Sequence, residues 1–340
     1  MSKITWKRIR NTAKAAMPTA LRTAWWMVRI TVIISFGVEL LRYLGIVAWI
    51  SSVLNPVFQL AGLPGEASLV YISGYFVNVY SAIAVAASLQ LNVRSMTILG
   101  VMVLCSHNMI METTIQKKTG SSFWRILVLR TLSAFMLGFL LNLIMPASLS
   151  ETPILSEMPV QDLSVVEQLR GWAFTTGQLV LQMILIILAL SVVQRLLSEF
   201  GAIRWISKLF RPVLYVFGLP GKTSFLWIVA NILGLAYGAA VMLEETQQGK
   251  IARRDVDLLN HHIAVSHSNL EDLLLFFVAG ALFWWMLLSR WCLAIVLVWE
   301  RRLEWWIKNL LFLKKEQGKK RQEYFNNGSG TRCGIRTHFN

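Results

Sequence analysis

Four long apolar runs are the feature that most limits what this chain can fold into. They cover residues 24–46, 125–145, 178–197 and 273–298. A helix needs about 20 residues to cross the hydrocarbon core of a bilayer, and each run is about that long. Hydrophobic residues make up 55% of the 340-residue chain and charged residues only 15%, which is less charge than soluble domains carry. The sequence therefore predicts an all-α, polytopic membrane protein.

Basic residues are concentrated near the two ends of the chain, and the net charge is +15. Residues 1–23 contain lysines and arginines but no acid, and residues 300–340 are again basic. Cytoplasmic segments beside membrane helices are enriched in Lys and Arg, so both termini are predicted to be cytoplasmic, in the cytoplasmic (inner) membrane. The expected partner of this charge is the lipid bilayer and not nucleic acid, because no nucleic-acid-binding signature accompanies it.

Two further segments differ in composition from the apolar runs. The connector at residues 147–168 contains four acids and no Lys or Arg, which predicts an extracytoplasmic position. After the last apolar run, residues 301–315 alternate apolar and basic faces, as in a helix that lies on the inner leaflet. From about residue 316 the chain is polar and aperiodic, and we predict a disordered tail.

The chain contains an internal repeat. ISSVLNPVFQLAGLPGEASLVYI, from Ile50, aligns without a gap with ISKLFRPVLYVFGLPGKTSFLWI, from Ile206. Further on, CSHNMIMET around His107 aligns with VSHSNLEDL around His267. Because GLPG and SH recur in the same order, we predict a duplication, with repeats at residues 24–146 and 169–299.

The charge pattern predicts that the two repeats have inverted topologies. If both termini are inside and the connector is outside, each half must cross the membrane an odd number of times. In the first copy the GLPG region carries Glu66, and in the second it carries Lys208, Arg211 and Lys222, which fits a second copy that faces the cytoplasm.

Interrupted helices are expected after each GLPG, because proline and glycine break helices. We predict re-entrant hairpins or broken helices at residues 68–91 and near residues 225–243. Crossings are then expected at residues 96–110 and, in short form, near 256–268. Inverted repeats with interrupted helices are typical of secondary transporters, whose sites lie near the bilayer midplane.

The pattern GLPG[EK]xS, an apolar helix with small residues, and then SHxxxx[ED] resembles the Gate family, also called nucleoside-recognition domain proteins. The resemblance covers about residues 50–144 and 206–298. This family includes the membrane part of the ferrous-iron transporter B type, spore maturation proteins A and B, and relatives of concentrative nucleoside transporters. Its iron members carry a cytosolic GTPase, but this sequence contains no GxxxxGK[ST] motif, which departs from nucleotide-driven iron uptake.

Ionisable residues inside a membrane are costly, so each one is a functional hypothesis. The predicted substrate-binding residues are Ser68, Asn78, Ser106, His107, Asn108, Glu112, Ser224, Asn231, Ser266, His267, Asn269, Glu271 and Asp272. Helix neighbours three or four residues apart face each other, so the five-residue spacing of His107 and Glu112 requires a helix break. His267 and Glu271 are four residues apart and are expected to converge directly.

Several chemistries are open to these residues. The histidines would serve a polar-solute or cation site as proton-coupled elements, or the motifs are polar helix ends bonded to backbone. The nitrogen and oxygen ligands would suit a divalent transition metal, but their spacing is not specific, so we predict neither a metal nor a cofactor. Each Ser–His pair is adjacent in a helix and cannot form a nucleophile–base hydrogen bond, so we do not expect an enzyme.

The leading interpretation is a transporter for a small polar or charged solute, with a site between the two repeats. One alternative is a non-transporting membrane assembly factor that resembles the spore maturation proteins. The other is a divalent-metal permease. A homo-oligomer or a partner membrane subunit is compatible with each of them.

Overall fold

The computed structural model describes residues 6–89, 91–150 and 165–328, and within these ranges the chain forms helices without a strand. The helices are α1 (Trp6–Tyr43), α2 (Ile46–Leu60), α3 (Ala67–Phe76), α4 (Val79–Ala86), α5 (Val93–Ser106), α6 (Met109–Lys118), α7 (Phe123–Ile144), α8 (Val165–Glu199), α9 (Ala202–Val216), α10 (Ser224–Ile232), α11 (Leu235–Gln247), α12 (Arg253–Ser266), α13 (Asp272–Val278) and α14 (Phe283–Gly328). Short 3-10 turns lie at Ala147–Ser150 and Gly221–Thr223.

Four of the described helices are long and apolar enough to cross a membrane, and they lie in α1, α7, α8 and α14. A fifth span results if α5 and α6, which meet at a bend of 40°, are counted together. Many of the large apolar side chains on α1, α7, α8 and α14 are exposed, as expected for surfaces in contact with lipid. These features confirm the prediction of an all-α polytopic membrane protein.

The helices occur in the same order in the two halves of the chain. Each half has a long helix, a helix that ends at GLPG, two interrupted pairs of short helices, and a second long helix. The correspondence extends to single residues at an offset of 160, because α5 ends at Ser106 and α12 at Ser266, while α7 begins at Phe123 and α14 at Phe283. The first helices of the halves, α1 and α8, pack side by side.

Each interruption has a local cause. Asn78 is fully extended between α3 and α4, and its side-chain oxygen accepts a hydrogen bond from the backbone N–H of Ser81 at 2.9 Å, which caps α4. Between α10 and α11, Gly234 has φ +91°, which favours glycine. The turns that follow α2 and α9 likewise place Gly62 and Gly218 at φ +67° and +73°.

The described helices differ from the sequence prediction at several boundaries. The crossing predicted at residues 96–110 ends at Ser106, because the SH motif breaks the helix. The crossing predicted at residues 273–298 is interrupted between Val278 and Phe283. Residues 6–23, predicted as part of a basic terminal segment, already belong to α1, because Lys, Arg and Ala are good helix formers.

The far end of the chain forms a unit of its own, which begins at Trp299. Within this unit Glu304 pairs with Arg301 at 2.6 Å and with Lys308 at 2.7 Å. Residues 316–328, predicted to be disordered, are instead helical, since their Lys, Glu, Gln and Arg side chains favour helix. Most of the predicted acidic connector (151–164), the first five residues and residues 329–340 lie outside the described residues.

The first GLPG turn provides a test of this packing. A Cβ atom at Gly62 would overlap the side-chain amide of Asn142, whereas a Cβ at Gly45 would meet nothing within 4 Å. Both glycines have a left-handed φ, so alanine at either position carries the same conformational cost of about 1–2 kcal/mol. Gly62→Ala is therefore expected to lower the unfolding free energy by about 1–3 kcal/mol more than Gly45→Ala. Chemical unfolding in detergent measures the difference. Equal losses of unfolding free energy in the two variants would contradict the close packing of Gly62 against Asn142.

Candidate functional site

The two SH motifs end helices in the same way. After α5 the chain is extended at His107, with ψ 156°, and after α12 it is extended at His267, with ψ 176°. The left-handed residues Asn108 (φ 46°) and Ser268 (φ 53°) follow directly. The backbone N–H of Asn108 then donates to the carbonyl of Gly74 at 2.9 Å. Each motif therefore leaves helix carbonyls that need a partner.

A buried arginine supplies that partner in each half. Arg130 of α7 donates to the carbonyl oxygens of Cys105 at 3.0 Å and His107 at 2.8 Å. Arg290 of α14 donates to the carbonyl oxygens of Val265 and His267, both at 2.7 Å. Both arginine side chains are fully buried. Each broken helix is thus closed by a guanidinium group from the long helix that follows it.

Sequence reasoning missed these two arginines. Arg130 and Arg290 lie inside the apolar runs that were predicted as plain crossings, and neither was considered as a site residue. The signal that identifies them is their spacing, since each follows the histidine of its own repeat by 23 residues. An arginine at matched positions in two membrane helices is costly unless it has a fixed partner.

Glu112 is the centre of a buried cluster that includes residues of both halves. Its Oε2 atom lies 2.7 Å from Nη2 of Arg130 and 3.1 Å from Nε2 of His267. Its Oε1 atom lies 3.2 Å from Nε2 of His107. The helix break at His107 turns α6 so that the five-residue spacing of His107 and Glu112 becomes a contact, as the sequence required.

Two acids of the second half complete this His–carboxylate cluster. Asp272, at the start of α13, places Oδ2 at 3.2 Å from Nε2 of His107. Glu271 accepts a hydrogen bond of 2.6 Å from the hydroxyl of Tyr80. The predicted direct convergence of His267 and Glu271 is therefore wrong in this structure, because the extended break carries Glu271 toward Tyr80 while His267 faces Glu112.

The two histidines lie next to each other, with ring centroids 5.0 Å apart. In each ring Nδ1 faces a backbone carbonyl, that of Val103 at 3.3 Å for His107 and that of Ile263 at 2.8 Å for His267. Nε2 of each ring faces a carboxylate. Nε2 of His107 has two carboxylate neighbours, Glu112 and Asp272, whereas Nε2 of His267 lies beside Glu112 but has no hydrogen-bond partner among the described residues.

The broken helices α5 and α12 reach the cluster from opposite ends of α7. Near the start of α5, Arg94 donates to the side-chain oxygen of Asn142 at the end of α7, at 2.9 Å. In the first half of α12, Asp257 accepts a hydrogen bond of 2.7 Å from the hydroxyl of Ser121, two residues before α7 begins. The carboxyl-terminal ends of α5 and α12 therefore meet at the cluster.

Several other predicted residues have local structural contacts. Asn78 caps α4, and the hydroxyl of Ser106 bonds the carbonyl of Met102 at 2.8 Å. The hydroxyl of Ser266 bonds the carbonyl of His262 at 2.8 Å. Of the thirteen predicted residues, the structure brings His107, Glu112, His267 and Asp272 into mutual contact.

The remaining predicted residues lie around this centre or away from it. Asn231 and Asn269 share a hydrogen bond of 2.6 Å, and the oxygen of Asn269 also faces Nη1 of Arg290 at 3.4 Å. Ser68 and Ser224 are buried at the starts of α3 and α10. Asn108 forms the first break itself, so its role is in the backbone.

Part of the cluster has a donor set that could hold a metal ion. One ligand atom each from His107, Glu112 and His267 lies within 4.8 Å of the other two. Imidazole nitrogen and carboxylate oxygen suit divalent transition metals. Arg130 competes for the same carboxylate, because it already donates to Glu112.

The hydrogen bonds from Arg130 and Arg290 to helix carbonyls, which we call the arginine braces, lead to a stability prediction. Arg130→Met is expected to cost about 3–5 kcal/mol of unfolding free energy, because it leaves helix carbonyls and the Glu112 carboxylate without a donor in a buried site. Arg290→Met removes donors from carbonyls, and no carboxylate of the described residues forms an ion pair with Arg290, so the loss of unfolding free energy should be smaller. Arg204→Met on an exposed face is the matched control. Chemical unfolding in mixed micelles compares them, and equal effects of all three would contradict the braces.

Comparison with known proteins agrees with this architecture. The model of the family described as "Gate: Nucleoside recognition" matches residues 24–119 and 180–295. The chain is 29% identical over 287 residues to the uncharacterized membrane protein YvoD of Bacillus subtilis (strain 168), which covers 83% of this chain and 91% of that protein. No solved structure matches the chain. The Gate family is associated with membrane transport and is not a family of enzymes. Since the family model covers more than half of the sequence and includes both SH motifs, the chain belongs to the Gate family.

Proposed function

We propose that the chain is a transporter of the cytoplasmic membrane that carries a small polar or charged solute through the His–carboxylate cluster. The observation that carries this proposal is the burial of His107, Glu112, His267 and Asp272 together at the meeting point of two broken helices. Transporters of this build bind their solutes where interrupted helices meet.

A purely structural role is a weaker account of the same residues. Burying charges is costly, and apolar side chains of similar size would often stabilise a core as well. The cluster also retains an unused donor, because Nη1 of Arg130 is buried without a hydrogen-bond partner among the described residues. A polar solute would supply the missing acceptor.

Inverted repeats are part of this proposal. They are supported by α5 and α12, which approach the cluster from opposite ends of α7. Basic residues gather at the α12 end, where Lys222 pairs with Asp255, and where Arg253 and Arg254 begin the helix. Lys117 and Lys118 close α6 near that same end. By the positive-inside rule this end faces the cytoplasm, as do both termini.

Proton coupling follows from the ring environments. Nε2 of His107 lies 3.2 Å from a carboxylate oxygen of Glu112 and 3.2 Å from one of Asp272, so a proton on this nitrogen has two acceptors while the solute is absent. A cationic solute would replace that proton, and an anionic one would bind together with it. His107 and His267 are therefore the residues that we expect to exchange protons during transport.

Ligand binding tests the proposal directly. Thermal unfolding of the purified protein is measured with nucleosides, amino acids, anions and divalent metals, since a ligand of the folded state raises its stability. A selective rise is expected with one class of ligand, and it should disappear in His107→Gln/His267→Gln. Uptake of that ligand into proteoliposomes should disappear in the same variant.

The control is His262→Gln, which changes a buried histidine outside the cluster. It should keep the ligand response. If the double variant binds and transports as the wild type does, the cluster is not the site. Loss of function only in variants of packing faces would instead favour the assembly-factor alternative.

A divalent cation is the second candidate solute, and it is favoured by the three ligand atoms within 4.8 Å of one another. Ligand histidines must be deprotonated to bind a metal, so affinity should fall as the pH is lowered. Binding of the dication would therefore release any proton held at Nε2 of His107 or His267.

Titration with Zn²⁺ and Mn²⁺ checks this second candidate. Glu112→Gln is expected to weaken binding at least about tenfold, because second-shell or ligand losses in metal sites have effects of 10–100-fold. Glu244→Gln, in α11, is the control that should leave metal binding unchanged. Equal binding by both variants, or binding that strengthens at low pH, would rule out the cluster as the metal site.

A further inference from the structure

The His–carboxylate cluster has one side toward the start of α12 and another toward the start of α5. Equivalent positions of the two repeats line these sides, but one side is polar and the other apolar. At the offset of 160, Gly100 of α5 corresponds to Asn260 of α12, and Gln116 of α6 corresponds to Phe276 of α13. Both positions on α5 and α12 lie seven residues before the SH histidine, or about 10 Å along the helix. Each half therefore contributes one residue to either side.

The side at the start of α12 is polar. The side-chain nitrogen of Gln116 donates to the carbonyl of Asn260 at 3.1 Å, and that of Asn260 donates to the hydroxyls of Thr119 at 2.8 Å and Ser121 at 3.0 Å. The hydroxyl of Ser121 also bonds a carboxylate oxygen of Asp257 at 2.7 Å. We call these five buried residues the polar flank.

The side at the start of α5 is apolar. A Cβ atom at Gly100 would lie 3.1 Å from the ring of Phe276 and 3.2 Å from the sulfur of Met286, so the surfaces are already in close contact. Phe276 and Met286 are fully buried. Thr97 is equivalent to Asp257, and its hydroxyl oxygen accepts a hydrogen bond of 2.9 Å from the backbone N–H of Leu282. Gly100, Phe276 and Met286 form the apolar flank.

The flanks differ in what they offer to water and to a polar solute. On the polar flank, the side-chain oxygens of Gln116 and Asn260 are buried and have no hydrogen-bond partner among the described residues. A buried acceptor without a partner costs about 1–3 kcal/mol, so water or a polar solute is favoured there. The apolar flank offers no such compensation and stays dry.

From this contrast we propose that the cluster is reached from the cytoplasm along the polar flank, and that the Gly100–Phe276 contact is the closed barrier on the extracytoplasmic side. The inference rests on the proposed function, because it assigns an entry path and a gate to the same site. Gln116 and Asn260 would then be the residues that a solute meets between the cytoplasm and the histidines.

The thiol of Cys105 can report access along this path. Cys105 is fully buried where the ends of α5 and α12 meet, with its sulfur 3.9 Å from the carbonyl oxygen of Val265. Cys292→Ser and Cys333→Ser leave it as the single thiol of the full chain. Ag⁺, a small thiol-reactive ion, is added to inside-out or right-side-out membrane vesicles in nitrate buffer. After unfolding in detergent, a fluorescent maleimide counts the thiols that have not reacted.

We expect Ag⁺ to react with Cys105 at least about tenfold faster from the cytoplasmic side, because access follows the flank that opens at lower free energy. Asn260→Leu should slow this reaction. Phe276→Ala should allow reaction from the extracytoplasmic side. Its thermal unfolding is measured alongside, because a variant that had lost its fold would also expose Cys105. Equal rates from the two sides, or faster reaction from outside, would overturn the proposal.

The same preparations separate this inference from the proposed function. Uptake and ligand-dependent stabilisation are measured in the single-thiol protein. If uptake occurs and Cys105 shows no sidedness, the entry path is wrong and transport stands. If Cys105 is reached from the cytoplasm while no solute binds or crosses, the flanks are as described and transport fails.

Discussion

Hydrocarbon offers no partner for the carbonyl groups of a broken helix, and the rest of this structure depends on how that need is met. Arg130 and Arg290 each donate two hydrogen bonds to the last carbonyls of a short helix. Without them, breaks at the SH motifs would expose unsatisfied backbone in the membrane. With them, two helices can end side by side and bring His107 and His267 together, with ring centroids 5.0 Å apart.

The charge of the braces has a second consequence. Two buried guanidinium groups would be very costly alone, and the carboxylate of Glu112 pairs with the guanidinium group of Arg130 at 2.7 Å. Glu112 connects the halves most directly, because it contacts His107 and Arg130 of its own half and His267 of the other. A cluster with this many protonatable groups can change its charge when a solute binds, and that is the property that transport requires.

The sequence was sufficient to predict the class of fold, and it singled out His107 and His267, whose ring centroids lie 5.0 Å apart. Apolar length indicated membrane helices, and the recurrence of GLPG and SH at fixed spacing indicated two equivalent halves. It was not sufficient to predict which carboxylate meets which histidine, because the extended breaks redirect Glu271 toward Tyr80. Nor did it separate Arg130 from the apolar run around it, since hydropathy averages a single charge away. The contrast between Gly100 and Asn260 became visible only when the structure showed their partners.

Residues of both halves meet in the His–carboxylate cluster. A double-mutant cycle on Glu112→Ala and His267→Ala, measured by the free energy of unfolding in mixed micelles, tests this contact most directly, because the two residues belong to different repeats and lie 3.1 Å apart. Residues in contact couple by about 0.5–3 kcal/mol, whereas distant ones are additive within about 0.5 kcal/mol. We expect Glu112 and His267 to couple by about 1 kcal/mol or more. Additive losses would mean that the halves do not meet at this cluster.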